Sequence, residues 1–299
     1  MNKFLERLER GETLVADGAT GSNLQKMGLR PGQPPEDLVI DSPDQISRLS
    51  DSFVEAGSDI ILTCTFGGTR MRMKDSQYQD RAPEVNRRAA ELALKAASAR
   101  AGVLVAGSMG PVGALIKPYG PLDADEVKAT FAEQAKALAE GGVDLLLIET
   151  MFSFEETTAA FDGAKSVSDL PIVVSFSYDR GTRTMMGVKP RDVIKKYSEL
   201  GAALVGANCG TTLENMEAVV KEYNATVPDF PLWVKPNAGV PRMDIQTEQG
   251  IYDMSPQDMA AYSRKYVELG ARVVGGCCGN TAEHIAAIVK AVKSQPQGN

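Results

Sequence analysis

Eight short apolar runs, each followed by a stretch of helical periodicity, constrain this chain more than any other feature. The runs cover residues 14–16, 59–65, 103–107, 143–149, 172–176, 203–208, 232–236 and 272–276. Each is nearly continuous in apolar residues, the pattern of parallel strands covered on both faces. Between them the period changes to 3.6. Over 124–140, Val127, Phe131, Ala135 and Leu138 fall on one stripe, with Glu126, Lys128, Glu133 and Lys136 elsewhere. Asp123, Ser153, Ser255 and Thr281 stand at N-cap positions, and Pro190 and Pro256 suit first turns. Gly57, Gly142, Gly201 and Gly270 close helices just before a strand. Eight such units without a break in composition predict one α/β domain over residues 1–299. The fold expected is a single (β/α)8 TIM barrel with its active site at the C-terminal ends of the strands. A doubly wound sheet split in two would need a linker, and no Pro/Ser-rich boundary supplies one. Residues 27–43 read as a loop over one barrel mouth, and 238–255 follow the seventh strand; loops of this length tend to be lids or binding loops.

The 299 residues carry a net charge of −7, which argues against nucleic acid and anionic membranes as partners. No apolar run approaches the roughly 18–20 residues of a membrane helix. Met1-Asn2-Lys3-Phe4-Leu5-Glu6-Arg7 reads as a charged helix start without a signal-peptide core, so a cytoplasmic location is expected. Four cysteines are too few for a disulfide framework, and a reducing compartment leaves them free to bind metal.

Reactive residues gather after the strands. Cys209 follows the sixth, and Cys277 and Cys278 follow the eighth, each flanked by glycine. Three thiols at two strand ends point to a metal, best a tetrahedral zinc whose fourth position is open. The competing readings are buried thiols acting as small apolar groups, or a strained disulfide between the adjacent pair. Cys64 has no partner motif and reads as a core thiol. Asn237 is placed for its carbonyl to take the fourth position in the empty enzyme, or else to form the turn in Pro-Asn-Ala-Gly. Asp17 and Glu149 are carboxylates at buried strand ends and need a partner: a substrate ammonium, or an internal salt bridge or helix cap. The turn Gly18-Ala19-Thr20-Gly21 offers N–H groups for a carboxylate. His284, the only histidine, reads as a solvated helix residue, so a histidine-based triad is hard to build. Arg70-Met71-Arg72-Met73-Lys74 reads as a solvated segment and Trp233 as core. Lys235 is the only lysine within a strand, the residue that a Schiff-base lyase or aldolase would require.

Asp17-Gly18-Ala19, Thr65-Phe66, Ile148-Glu149-Thr150, Asn208-Cys209-Gly210 and Gly275-Gly276-Cys277-Cys278-Gly279 together resemble the homocysteine S-methyltransferase family, over about residues 11–288. Arg183-Thr184-Met185-Met186-Gly187 and Pro236-Asn237-Ala238-Gly239 look closest to the homocysteine-binding module of cobalamin-dependent methionine synthase. Betaine–homocysteine methyltransferase is also similar. The resemblance implies a zinc barrel that activates homocysteine as a zinc thiolate and methylates it to methionine. It implies Cys209, Cys277 and Cys278 as zinc ligands, and Asp17 and Glu149 as holders of the amino group. Gly18, Ala19, Thr20 and Asn208 complete the expected substrate site. No folate-binding barrel or cobalamin domain is read in this chain, so a separate methyl-corrinoid protein is the expected donor. The alternative donor is a small onium compound, a betaine or S-methylmethionine, entering past Phe66, Phe152, Phe154, Phe176 and Tyr178. A reading of another class is a non-catalytic zinc barrel that docks a corrinoid protein; it predicts a closed four-ligand site.

Overall fold

A computed structural model describes residues 2–30, 32–244 and 250–294. Its barrel strands are β1 (Leu14–Val15), β2 (Ile60–Leu62), β3 (Leu104–Met109), β4 (Leu145–Met151), β5 (Ile172–Phe176), β6 (Leu204–Cys209), β7 (Leu232–Pro236) and β8 (Ala271–Val274). The helices that alternate with them are α1 (Pro43–Glu55), α2 (Ala82–Ala97), α3 (Ala124–Glu140), α4 (Phe154–Lys165), α5 (Pro190–Glu199), α6 (Leu213–Thr226), α7 (Pro256–Glu268) and α8 (Ala282–Lys293). The strands pair in parallel from β2 through β8 and on to β1. A parallel bridge between Ala16 and Ile60 joins β1 to β2 and brings the ring nearly to closure. This is the expected (β/α)8 barrel.

The local signals act as read. Asp123, Ser153 and Ser255 accept hydrogen bonds from the first turns of α3, α4 and α7. Gly57, Gly142, Gly201 and Gly270 all have φ between 87° and 101°, the left-handed conformation that ends a helix and turns the chain into the next strand. Strands β5 and β7 have the boundaries read from sequence. By contrast β3, β4 and β6 run past their apolar segments to take in Ser108-Met109, Thr150-Met151 and Cys209. Backbone pairing decides this: Met109 stands opposite Ile148, Met151 opposite Phe176 and Cys209 opposite Pro236. The ladder therefore continues past the apolar segments, with Met109 and Met151 packing toward the helices.

Alternation along the strands divides the core in two. One set, including Ile61, Val105, Ile148, Val174 and Val205, packs between sheet and helices. The other fills the barrel: Leu14, Ala16, Ile60, Leu104, Ala106, Leu145, Leu147, Val173, Leu204, Trp233 and Val273. Phe4, fully buried on the helix Lys3–Glu9, belongs to this inner set and seals the N-terminal end. Trp233 is core as expected.

The two long connections are more structured than loops. Residues 27–43 contain a 3-10 turn (Pro35–Asp37) and a single helical turn (Leu38–Asp41). Glu36 is buried there and accepts the Gly67 N–H at 2.6 Å, which fastens the segment to the β2 end. Pro31 lies outside the described residues. Within 238–255 a small antiparallel ribbon joins Arg242–Met243 to Gly250–Ile251, and residues 245–249 lie outside the described residues. No helix among the described residues is long and apolar enough to cross a membrane.

Candidate metal and substrate site

On six strands the last inner apolar or glycine position is followed, two residues on, by a polar one or a cysteine. Ala106 leads to Ser108, Leu147 to Glu149, Val173 to Ser175, Gly206 to Asn208, Trp233 to Lys235 and Gly275 to Cys277. The period of two thus raises a polar layer on an apolar floor. Ser108, Glu149, Ser175, Asn208 and Lys235 are all buried.

The three cysteines meet at one side of this layer. Their sulfurs lie within 4.8 Å of one another, and Cys209 Sγ is 2.9 Å from Cys277 Sγ. All three are free thiols, the adjacent pair Cys277 and Cys278 included. The vicinal-disulfide reading is therefore not the state found. Cys209 adopts φ +54° and Gly210 φ +77°, an abrupt turn that aims the first sulfur at the other two. Left-handed backbone at a residue with a side chain costs roughly 1–3 kcal/mol and persists where its surroundings hold it. Hydrogen bonding with Cys277 and Cys278, then burial, raises the Cys209 thiol well above the ordinary range. Hydrogen bonding from Cys209 and Cys277 holds Cys278 well below it. Three sulfurs pressed together, one of them favouring the thiolate, form a donor set suited to a soft or borderline cation. Ideal zinc–thiolate geometry, with bonds of about 2.3 Å, places sulfurs about 3.8 Å apart, between the closest contact and the span of this group.

Asn237 lies between the two cysteine turns. Its Oδ1 accepts the Cys278 N–H at 3.1 Å and its Nδ2 donates to Gly210 O at 3.2 Å. It ties the two cysteine turns together. Asn280 is a residue that sequence reasoning missed. It is fully buried, and its Nδ2 donates to Pro236 O and Cys277 O, both at 3.1 Å. Its own carbonyl accepts the Ala19 N–H at 3.1 Å and so joins the cysteine turn to the turn after β1. A Cβ on Gly276 would stand 2.2 Å from Asn280 Cγ, so only glycine fits there. Tyr252, also missed, packs on Gly279 beside the cysteine turn.

Asn208, expected to touch substrate, is enclosed and fully engaged. Its Oδ1 accepts from Thr150 N–H at 2.9 Å and Ser175 Oγ at 2.6 Å, and its Nδ2 donates to Thr150 Oγ1 at 2.6 Å. Thr150 has φ +61°, an outlier for a β-branched residue. Asn208 thus holds the strained residue next to Glu149.

Asp17 follows β1 and Glu149 stands on β4. Asp17 Oδ1 accepts from Lys235 Nζ at 2.7 Å, and Oδ2 from the Leu62 N–H at 2.7 Å. The internal salt bridge, the alternative at this position, is present. Glu149 Oε1 accepts from Ser108 Oγ at 2.5 Å. Burial pushes Glu149 up to about 7, against the opposing pull of Lys235. Of the turn Gly18-Ala19-Thr20, only the Ala19 N–H is taken by a backbone acceptor.

Other expectations change. Phe176 and Tyr178 are buried among the helices rather than at the mouth, and Phe154 packs on Phe176 and Tyr197 at centroid distances of 6.1 and 6.3 Å. Phe66 is exposed and Phe152 partly so. His284 is not simply solvated. Its Nδ1 accepts the Thr281 N–H at 3.2 Å, and its Nε2 lies 3.1 Å from Met254 O, fixing α8 to the segment after β7. Met73, in the basic cluster, is buried. Cys64 is a buried thiol against Pro35 O, as read.

Residues 14–292 match the homocysteine S-methyltransferase family. The metallated form of the homocysteine methyltransferase MmuM from Escherichia coli is similar at 24% identity and TM-score 0.82, over 96% of this chain and 99% of that one. The oxidised form of the same protein gives 24% and 0.79 over the same shares. A type I 3-dehydroquinate dehydratase from Clostridium difficile shares the barrel alone, at 13% identity and TM-score 0.53, over 95% of this chain and 94% of that one. By the match over nearly its whole length, the chain belongs to the homocysteine S-methyltransferase family.

Proposed function

We propose that the chain transfers a methyl group to the thiol of homocysteine, with zinc held by Cys209, Cys277 and Cys278. The observation that carries this is the cluster of three sulfurs beside a buried carboxylate layer in one barrel mouth. When bound, zinc would offer a fourth position to the substrate sulfur and favour its thiolate at neutral pH. The chain's own residues do the rest. Glu149 receives the substrate ammonium, and free N–H groups of the turn Gly18-Ala19-Thr20 receive its carboxylate. Holding both ends of the amino acid fixes the sulfur relative to the cysteines and supplies the orientation term. Asn237 and Asn280 hold the cysteine turns, and Asn208 holds Thr150 beside Glu149.

A separate methyl-corrinoid protein fits as donor better than a small onium compound. Three of the five aromatics that an onium pocket would draw on, Phe154, Phe176 and Tyr178, pack into the core. Cys277→Ser tests the metal assignment: the variant should remain folded, lose zinc, and fail to bind homocysteine. Full zinc content with undiminished binding would refute it.

A further inference from the structure

Lys235 hydrogen-bonds a carboxylate and, among the described residues, no sulfur, yet it stands within the polar layer of the site. It stands on β7 two residues beyond Trp233, and the alternation of the strand turns it into the barrel, where it is 2% exposed. A buried ammonium costs several kcal/mol unless it is paired. Its partner is Asp17 Oδ1 at 2.7 Å, across 218 residues of chain.

This pairing makes the two carboxylates of the site unequal. Asp17 already accepts from Lys235 on one oxygen and from the Leu62 N–H on the other. Glu149 accepts from Ser108 on Oε1, and no donor stands on its Oε2 among the described residues. The formal charges of Asp17, Glu149 and Lys235 sum to −1, which one ammonium balances. Without the lysine the layer would carry two carboxylates, and an incoming ammonium would have two places to go.

We propose that Lys235 is a positioning residue: by occupying Asp17 it directs the ammonium of an α-amino acid to Glu149, and so sets where the thiol reaches the three cysteines. This rests on the homocysteine reading above. Removing the lysine charge opens Asp17 as a second seat for the ammonium. A substrate seated there is still bound, but its sulfur is displaced.

Cobalt-substituted protein separates binding from placement. Homocysteine is titrated into wild type, K235M, K235R and D17N/K235M, with calorimetry reporting binding and the thiolate-to-cobalt absorption reporting sulfur at the metal. In K235M a tenfold preference for Asp17 leaves about a tenth of the wild-type absorption change, while the dissociation constant stays within about threefold or tightens. K235R restores most of the absorption. D17N/K235M lacks both charges and should recover it, because Glu149 is again the only seat. That double variant buries no unpaired charge, so it carries the test even if K235M does not fold. Wild-type absorption in K235M would overturn the proposal, as would a double variant that no longer binds homocysteine. A wild type showing neither heat nor a new absorption would instead refute the thiol-binding reading, and this role with it.

Discussion

Glu149→Gln should make the protein more stable and less able to bind its substrate. Burial pushes the Glu149 carboxyl up to about 7 from an ordinary value of 4.5. A raised carboxyl contributes stability that is fully present below pH 4.5 and lost as pH rises through about 7. The difference of about 2.5 pH units corresponds to roughly 3 kcal/mol at 1.36 kcal/mol per unit. At pH 8 wild type therefore carries a buried ionised carboxylate that the neutral, isosteric glutamine avoids. Urea unfolding of both proteins at pH 4.5 and pH 8 measures the effect. E149Q should exceed wild type by up to about 3 kcal/mol at pH 8 and by little at pH 4.5. Homocysteine affinity should move the other way. Loss of a charge-assisted contact of about 1.5–3 kcal/mol weakens binding roughly 10- to 150-fold. An equal stability gap at both pH values would refute the burial argument, and undiminished homocysteine affinity would remove Glu149 from the ammonium site.

Asn208→Ala should destabilise by about 1–3 kcal/mol, since it frees the Thr150 N–H and the Ser175 hydroxyl inside the barrel. Thermal unfolding checks this, and a Tm at the wild-type value would mean that Thr150 needs no such support. Gly206→Ala should abolish soluble expression at 37 °C, because its Cβ would stand 1.9 Å from Trp233 O, a backbone atom of a central strand. Soluble G206A with wild-type unfolding would contradict the packing of β6 on β7.

Much of the fold was legible because it is local. Continuous apolar runs, capping residues and helix-ending glycines each report on a few neighbours, and β5 and β7 appear with the boundaries expected. The cysteine cluster was legible for a similar reason, since the three cysteines sit at the ends of β6 and β8 in plain glycine contexts. What was not legible depends on closure of the ring. The Asp17–Lys235 pair spans 218 residues and exists only because β1 and β7 both flank β8. Asn208 and Asn237 look like ligands in sequence, since an amide at a strand end is compatible with either a ligand or a brace. Their bracing partners, on or after other strands, are not legible in the sequence. The aromatics could have been placed better: Ser175 faces inward, so Phe176 must face the helices by the period of two. His284 escaped because its partner, Met254 O, lies on another unit.

Zinc content measured together with homocysteine calorimetry tests the central claim most directly, on protein as isolated and after removal of metal by a chelator. The three-cysteine site predicts about one zinc per chain, and homocysteine binding that releases a proton and disappears when the metal is removed. Reduced protein that contains no zinc, or that binds homocysteine equally well after chelation, would contradict it.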